Sequence, residues 1–203
     1  YNDPSLNGKV LNVYPSLTCE ISHKDKRHTL KTSLVVAYNL ENIMSAVVVG
    51  LTFNVPMEDI LSAIEAYSPE IHRSQLLKGK RNIIILDAYN ANPSSMRGSV
   101  SDFLDYTDGP RMMILGDMAE LGSEEDKEHY EFLEWLNGQS FDMGLFVGKV
   151  FEKAGQAFER FTFFPDTASC ISYIQKMNPS GYHILIKGSR KMALETVTIH
   201  LND

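Results

Sequence analysis

Five short apolar runs, each followed by a stretch of helical period, fill the chain from about residue 74 onward, and they restrict its fold more than any other feature. They are Ile83-Ile84-Ile85-Leu86, Met112-Met113-Ile114-Leu115, Leu145-Phe146-Val147, Phe161–Phe164 and His183–Ile186. Unbroken apolarity over so few residues marks a strand covered on both faces, since a strand with one wet face would alternate. Pro93 opens the first intervening helix, with Met96, Val100, Phe103 and Leu104 facing inward. Ser123 is placed to cap the second, which carries Tyr130, Leu133 and Leu136. Further helices are expected near 150–158, near 167–177 and from about Lys191. Strand-then-helix units in series require crossover connections. The expected class is therefore α/β, with a Rossmann-like, doubly wound, mostly parallel sheet.

The first 70 residues follow another pattern. Leu11–Tyr14, Leu17–Ile21 and Leu34–Val36 are rich in strand formers, and Asn7-Gly8 is a turn signal. Leu40, Ile43, Val47 and Leu51 recur at helical spacing between Asn39 and about Phe53, and Pro56 opens a second helix carrying Ile60, Leu61 and Ile64. Ser68–Arg73 breaks that period and reads as a link. Two domains are expected, 1–70 and 71–203.

Ligands of doubly wound sheets sit at the carboxyl ends of the strands, and three of the five strands end in polar clusters. These are Asp87-Ala88-Tyr89-Asn90-Ala91-Asn92-Pro93, Gly116-Asp117-Met118-Ala119-Glu120-Leu121-Gly122 and Lys187-Gly188-Ser189-Arg190. The other two end blandly, in Gly148-Lys149 and Pro165-Asp166. Asp87 is placed to accept ribose hydroxyls, or equally to be satisfied by backbone amides in a loop. Tyr89, Asn90 and Asn92 offer phenol and amide groups suited to a peptide or a carboxylate; Asn92 before Pro93 is also a helix cap, and the two uses are compatible. Asp117 and Glu120 form an acidic pair that could take an ammonium group, a metal ion or a basic side chain, or simply belong to a solvated acidic loop. His129, in the following helix, reads as structural or exposed more readily than catalytic. Lys187, Ser189 and Arg190 at the start of the last helix form a candidate anion site, against the plainer account of solvated cations.

Several function classes are excluded or weakened. A net charge of −7 argues against nucleic acid as the main partner. No apolar run reaches the roughly 18 residues of a membrane span. Cys19 and Cys170 lack metal or redox spacing and are expected buried and reduced. There is no G-x-x-x-x-G-K-[ST] loop to cradle phosphates, no G-x-G-x-x-G after a strand and no G-x-S-x-G nucleophile context. The opening Tyr1-Asn2-Asp3-Pro4 has no signal-peptide pattern, and without an initiator Met the chain is expected to begin inside a larger protein. From the residues alone, this is half of a ligand site on an α/β domain.

Five segments together resemble the Mur ligases of peptidoglycan synthesis, and specifically the branch that adds D-alanyl-D-alanine. They are Asp87–Met96, with the pattern DxYNANPxSM; Leu115–Gly122 with His129, LGDMxELG…H; Lys187–Glu195, KGSRxMxxE; Tyr38-Asn39-Leu40-Glu41-Asn42, [HY]NxxN; and the arginine-containing link His72-Arg73-Ser74-Gln75. Their order and spacing hold from about residue 30 to the end. The resemblance implies a three-domain bacterial, cytoplasmic enzyme that uses ATP and Mg2+. Such an enzyme activates the carboxylate of UDP-MurNAc-tripeptide as an acyl phosphate, which the amine of D-alanyl-D-alanine then attacks. It implies that residues 1–70 are the end of the central ATP-binding domain. Asn42 and Tyr38 would then lie at the adenine, and Arg73 and Asp87 at the ribose or phosphates. Tyr89, Asn90, Asn92, Lys187, Ser189 and Arg190 would form the dipeptide side, with Asp117 and Glu120 either meeting its ammonium group or positioning other residues of the site. No metal ligand and no catalytic residue is assigned within the chain, and a monomer is expected. Val36 departs from the pattern, standing where the family usually has glycine. With the phosphate-binding loop absent, the 203 residues alone are expected to be inactive. The alternatives are a sibling Mur ligase or folylpolyglutamate synthase, and a non-catalytic flavodoxin-like binding module.

Overall fold

The computed structural model describes residues 4–68 and 75–202. The chain divides into two compact units, Tyr1–Glu70 and Ile71–Asp203. Most of the expected link, including Arg73, lies outside the described residues.

In the first unit, β1 (Asn7–Asn12), β2 (Thr18–His23) and β3 (Lys26–Lys31) form an antiparallel sheet in that order. Lys24 and Asp25 join β2 to β3 with φ of 47° and 62°, a two-residue turn of the hand that matches strand twist. Helices α1 (Asn39–Thr52) and α2 (Met57–Ala66) complete the unit. Their residues Ile43, Val47, Ile60 and Leu61 close a core over Leu17, Cys19, Ile21 and Leu30.

Two sequence expectations are corrected here. Asn7-Gly8 is no turn; it pairs with Ser22 and Ile21 inside β1. What Gly8 provides is close approach, because a Cβ there would lie 2.5 Å from Met44 Sδ on α1. The third strand is Lys26–Lys31, not Leu34–Val36. The latter segment is kept out of the sheet by Val36, whose φ of 69° is left-handed although its side chain is buried. A β-branched residue in that region is strained, by about 1–3 kcal/mol. Val36, where the resemblance leads one to expect glycine, thus has glycine-like backbone geometry. Truncating Val36 should invert the usual order of stability: Val36→Gly should be about 1 kcal/mol more stable than Val36→Ala in urea titrations, because only glycine adopts this φ freely.

The second unit is a six-stranded sheet of order β4-β5-β9-β6-β7-β8. Its strands are β4 (Gln75–Lys78), β5 (Ile83–Asp87), β6 (Arg111–Gly116), β7 (Met143–Val147), β8 (Thr162–Phe164) and β9 (His183–Lys187). All pair in parallel except β4, an antiparallel edge strand that the sequence reading missed. Ile84, Leu86, Met112, Ile114, Leu145, Val147, Ile184 and Ile186 cover one face against α6 (Thr167–Met177) and the C-terminal segment. The alternate residues Ile85, Met113, Leu115, Phe146 and Leu185 turn to the other face. There α3 (Pro93–Tyr106), α4 (Glu125–Asn137) and α5 (Lys149–Ala154) bury Met96, Phe103, Phe132, Leu133 and Phe151. Both cysteines are buried and free, and burial pushes the Cys170 thiol up to about 12.

Two helix starts differ from expectation. Ser123 caps nothing: it sits within a 3₁₀ turn, Gly122–Glu124, and α4 begins at Glu125. The closing helix from Lys191 is instead two 3₁₀ turns, Arg190–Met192 and Leu194–Thr198, followed by the four-residue α7 (Ile199–Asn202). Ala193, with φ 48°, breaks the run. Thr196 and Thr198 then bond back to the carbonyls of Ala193 and Glu195, an outlet that competes with a regular helix. No helix among the described residues is long and apolar enough to cross a membrane.

Candidate functional site

The last strand in sequence, β9, is hydrogen-bonded between β5 and β6. Three adjacent strands therefore end in the three polar clusters, with Asp87 beside Lys187 and Lys187 beside Leu115 in register. At this edge Gly188 and Gly116 touch: a Cβ on Gly188 would lie 3.1 Å from Gly116 Cα. The Ser189 amide donates to the Asp117 carbonyl oxygen at 3.2 Å, binding the second and third clusters together.

Within the rim many of the predicted residues have partners in the protein. Asp87 and Lys187 are both buried, and Lys187 Nζ lies 2.6 Å from Asp87 Oδ2. Ser99 Oγ, from α3, donates to the same carboxylate oxygen at 3.4 Å. Asn90 Oδ1 accepts from the Ala91 amide. Asn92 is a helix cap, as its place before Pro93 suggested. Its Oδ1 accepts from the Ser95 amide at 2.9 Å, and Ser95 Oγ accepts from the Asn92 amide in return. Tyr89 is 38% exposed.

Asp117 is occupied in a way its sequence context did not reveal. Its two carboxylate oxygens accept from the Val150 and Phe151 amides at 3.1 and 2.9 Å, capping α5 from a neighbouring loop. Gly148, in the cluster read as bland, makes room for it: its φ is 128°, and a Cβ would fall 2.2 Å from Asp117 Cγ. His129 is fully buried and structural. It accepts from the Met118 amide at Nε2 (3.0 Å) and bonds the Glu125 carbonyl through Nδ1 (2.7 Å). The two members of the acidic pair thus part ways. Asp117 is built into the backbone, whereas Glu120 is exposed, at a left-handed φ of 64°.

Ser189 makes no side-chain cap, and the turn after it has three residues, so the helix-terminus part of the anion reading is corrected. Arg190 remains half exposed, and its Nη1 donates to Glu195 Oε1 at 3.0 Å. The other oxygen, Oε2, is buried without a hydrogen-bond partner among the described residues. Glu195 carries an interaction that its place in the KGSRxMxxE pattern did not disclose.

In the first unit, Tyr38 precedes α1 and is 37% exposed. Asn42 Nδ2 donates to Asn39 Oδ1 at 3.0 Å, and Asn39 in turn holds the Val35 carbonyl. Asn42 also lines a cavity of about 330 Å³ with Leu34, Ile43, Ala46, Ile64 and Tyr67, apolar apart from the amide and the phenol. Among the described residues no group of three or more His, Cys, Asp or Glu could hold a metal ion.

The Asp117–Gly148 contact makes a sharp prediction. Gly148→Ala should cost about 3 kcal/mol in chemical denaturation, from strain and displacement of the Asp117 carboxylate. Gly98→Ala, in α3 with nothing within 4 Å of the new methyl group, should be neutral to stabilising by about 0.5–1 kcal/mol.

Comparison with known proteins fits this geometry. Residues 72–190, more than half of the chain, match the family described as Mur ligase, glutamate ligase domain. The UDP-N-acetylmuramoyl-tripeptide–D-alanyl-D-alanine ligase of Bacillus subtilis is 29% identical over 86% of this chain and 40% of its own length. The Escherichia coli ligase of the same name is 28% identical, over 82% and 37%. The chain therefore spans about two fifths of these curated relatives. A crystal structure of MurF from Acinetobacter baumannii superposes with a TM-score of 0.83 at 25% identity, covering 97% of this chain and 44% of that one. A folylpolyglutamate synthase from Thermotoga maritima shares the fold, with a TM-score of 0.68 at 14% identity. The chain belongs to the Mur ligase family.

Proposed function

We propose that this chain is the C-terminal portion of an ATP-dependent ligase joining D-alanyl-D-alanine to UDP-MurNAc-tripeptide in peptidoglycan synthesis. It would supply the dipeptide and nucleoside half of the active site. The observation that carries the reading is the central position of β9, which brings residues 87–92, 116–120 and 187–190 to one rim. The relatives named for this activity support the choice of amine. Residues 1–70 would be the end of the central ATP-binding domain and 71–203 the domain that presents the amine.

The geometry supports some assignments more directly than others. Arg190, exposed and steered by Glu195, suits the carboxylate of the dipeptide, which a guanidinium can grip through two N–H groups. Exposed Glu120 suits its ammonium group better than Asp117, whose oxygens are taken by the amides of α5. Tyr89, Asn90 and Asn92 offer a phenol and amides suited to the peptide unit, and the strand order sets the Ser189 cluster between theirs and that of Asp117. Of the two residues expected at the ribose or phosphates, Arg73 keeps that assignment, whereas Asp87 is buried against Lys187 and Ser99 and is assigned to holding the rim. The Asn42 cavity suits a purine in its chemistry, a mostly apolar lining that includes one amide, and Tyr38 stands four residues earlier. ATP supplies the phosphoryl group that activates the tripeptide carboxylate. Mg2+ and the phosphate-binding loop belong to the remainder of the protein.

The test is an ADP-release assay on the full-length protein with ATP, each candidate acceptor and each candidate amine. Turnover should require UDP-MurNAc-tripeptide and D-alanyl-D-alanine together. Preference for diaminopimelate, lysine or glutamate as the amine would overturn the reading. The purified 203-residue chain should show no turnover under the same conditions.

A further inference from the structure

Lys187 ends β9 with 1% of its surface exposed, an unfavourable place for an ammonium group unless its charge and its protons are matched. Both are. Nζ lies 2.6 Å from Asp87 Oδ2 and donates to the carbonyl oxygen of Asn90 at 3.2 Å. Ser99 Oγ approaches the same Asp87 oxygen from α3 at 3.4 Å. The lysine therefore joins a neighbouring strand end to the middle of the loop that follows it. With Asp87 and Ser99 also buried, the whole cluster lies beneath the rim, not on it.

We infer that Lys187 is a positioning residue of the amine-binding rim and not a ligand contact: by clamping the Asn90 carbonyl onto the Asp87 carboxylate it sets the path of residues 88–92. The inference rests on the ligase reading and replaces the expectation, drawn from the resemblance, that Lys187 lies on the dipeptide side. The loop carries the exposed Tyr89 ring and, in Asn92, the cap of α3, so its path is fixed at both ends. Asp87 holds it at the strand, Asn92 at the helix, and Lys187 in between. Loss of the ammonium group frees the Asn90 carbonyl, and the loop's polar side chains lose their common orientation. A point-charge cation with freely directed protons suits this task, because a carboxylate and a carbonyl oxygen must be reached from one nitrogen.

The experiment uses the full-length ligase, assayed well below the lowest melting midpoint of the set, as wild type, Lys187→Met, Asp87→Asn and the double variant. In the wild-type background Lys187→Met should raise the KM for D-alanyl-D-alanine at least tenfold, with kcat changed less than threefold. In the Asp87→Asn background the same substitution should change that KM less than threefold, since the clamp is already broken. An equal rise in both backgrounds would make Lys187 a direct ligand contact, and no rise in either would remove it from the rim; both results overturn the inference. Ser99→Ala, which leaves both charges in place, is the second variant should Lys187→Met fail to fold. It should raise the same KM two- to fivefold alone and not at all beside Asp87→Asn; an unchanged KM alone would count against the clamp. A wild type that forms no product would overturn the ligase reading itself, whereas an active wild type with independent effects overturns only the clamp.

Discussion

The parallel ladders that hold β9 between β5 and β6 govern the rest of the second unit. They join residues 100 and 72 positions apart, as in the pairings of Ile83 and of Arg111 with His183, and such contacts are entropically costly to close. The return comes from burial. Ile184, Leu185 and Ile186 are wholly inaccessible, and the strand is sandwiched between helical layers on both faces. Removing β9 would leave β5 and β6 with unpaired edges inside the core and scatter the three polar clusters. Because it is central, the rim is a consequence of the hydrophobic sheet and needs no dedicated scaffold.

Charge at this rim is arranged in two tiers. Beneath the surface, Asp87 and Lys187 neutralise one another, and breaking such a buried pair by removing one partner costs roughly 3–5 kcal/mol. Asp117 is likewise consumed, by the amides of α5 above Gly148. Above them lie the exposed groups, Glu120, Arg190 and Tyr89, in contact with solvent. A site built this way has fixed electrostatics below and adaptable contacts above, which suits recognition of a small zwitterion. Preorganised charge strengthens binding most when it need not move as the ligand arrives.

How much of this is legible in the sequence depends on the range of the interaction. Local signals carry well: the strand-helix alternation, the Asn92-Pro93 cap, the buried cysteines and the helices of the first unit follow from neighbouring residues. The positions of the polar clusters at strand ends are equally legible. Their partners are not, because those arise from strand order. Lys187 meets Asp87 across 100 residues, Gly148 yields to Asp117 across 31, and β4 joins the sheet by a short hairpin with little apolar pattern. The 3₁₀ finish after Ser189 is obscured differently. Leu194, Val197 and Leu201 keep helical spacing while Ala193 and the two threonines divert the backbone.

The central claim is that three neighbouring strand ends form the surface that receives the incoming amine. A crystal structure of the full-length protein with D-alanyl-D-alanine and a non-hydrolysable ATP analogue tests it most directly. The dipeptide should lie within hydrogen-bond distance of residues from all three clusters, 88–92, 117–120 and 188–190, with the Asp87–Lys187 pair intact beneath it. A dipeptide bound away from these strand ends, or contacting Lys187 Nζ through a broken pair, would contradict it.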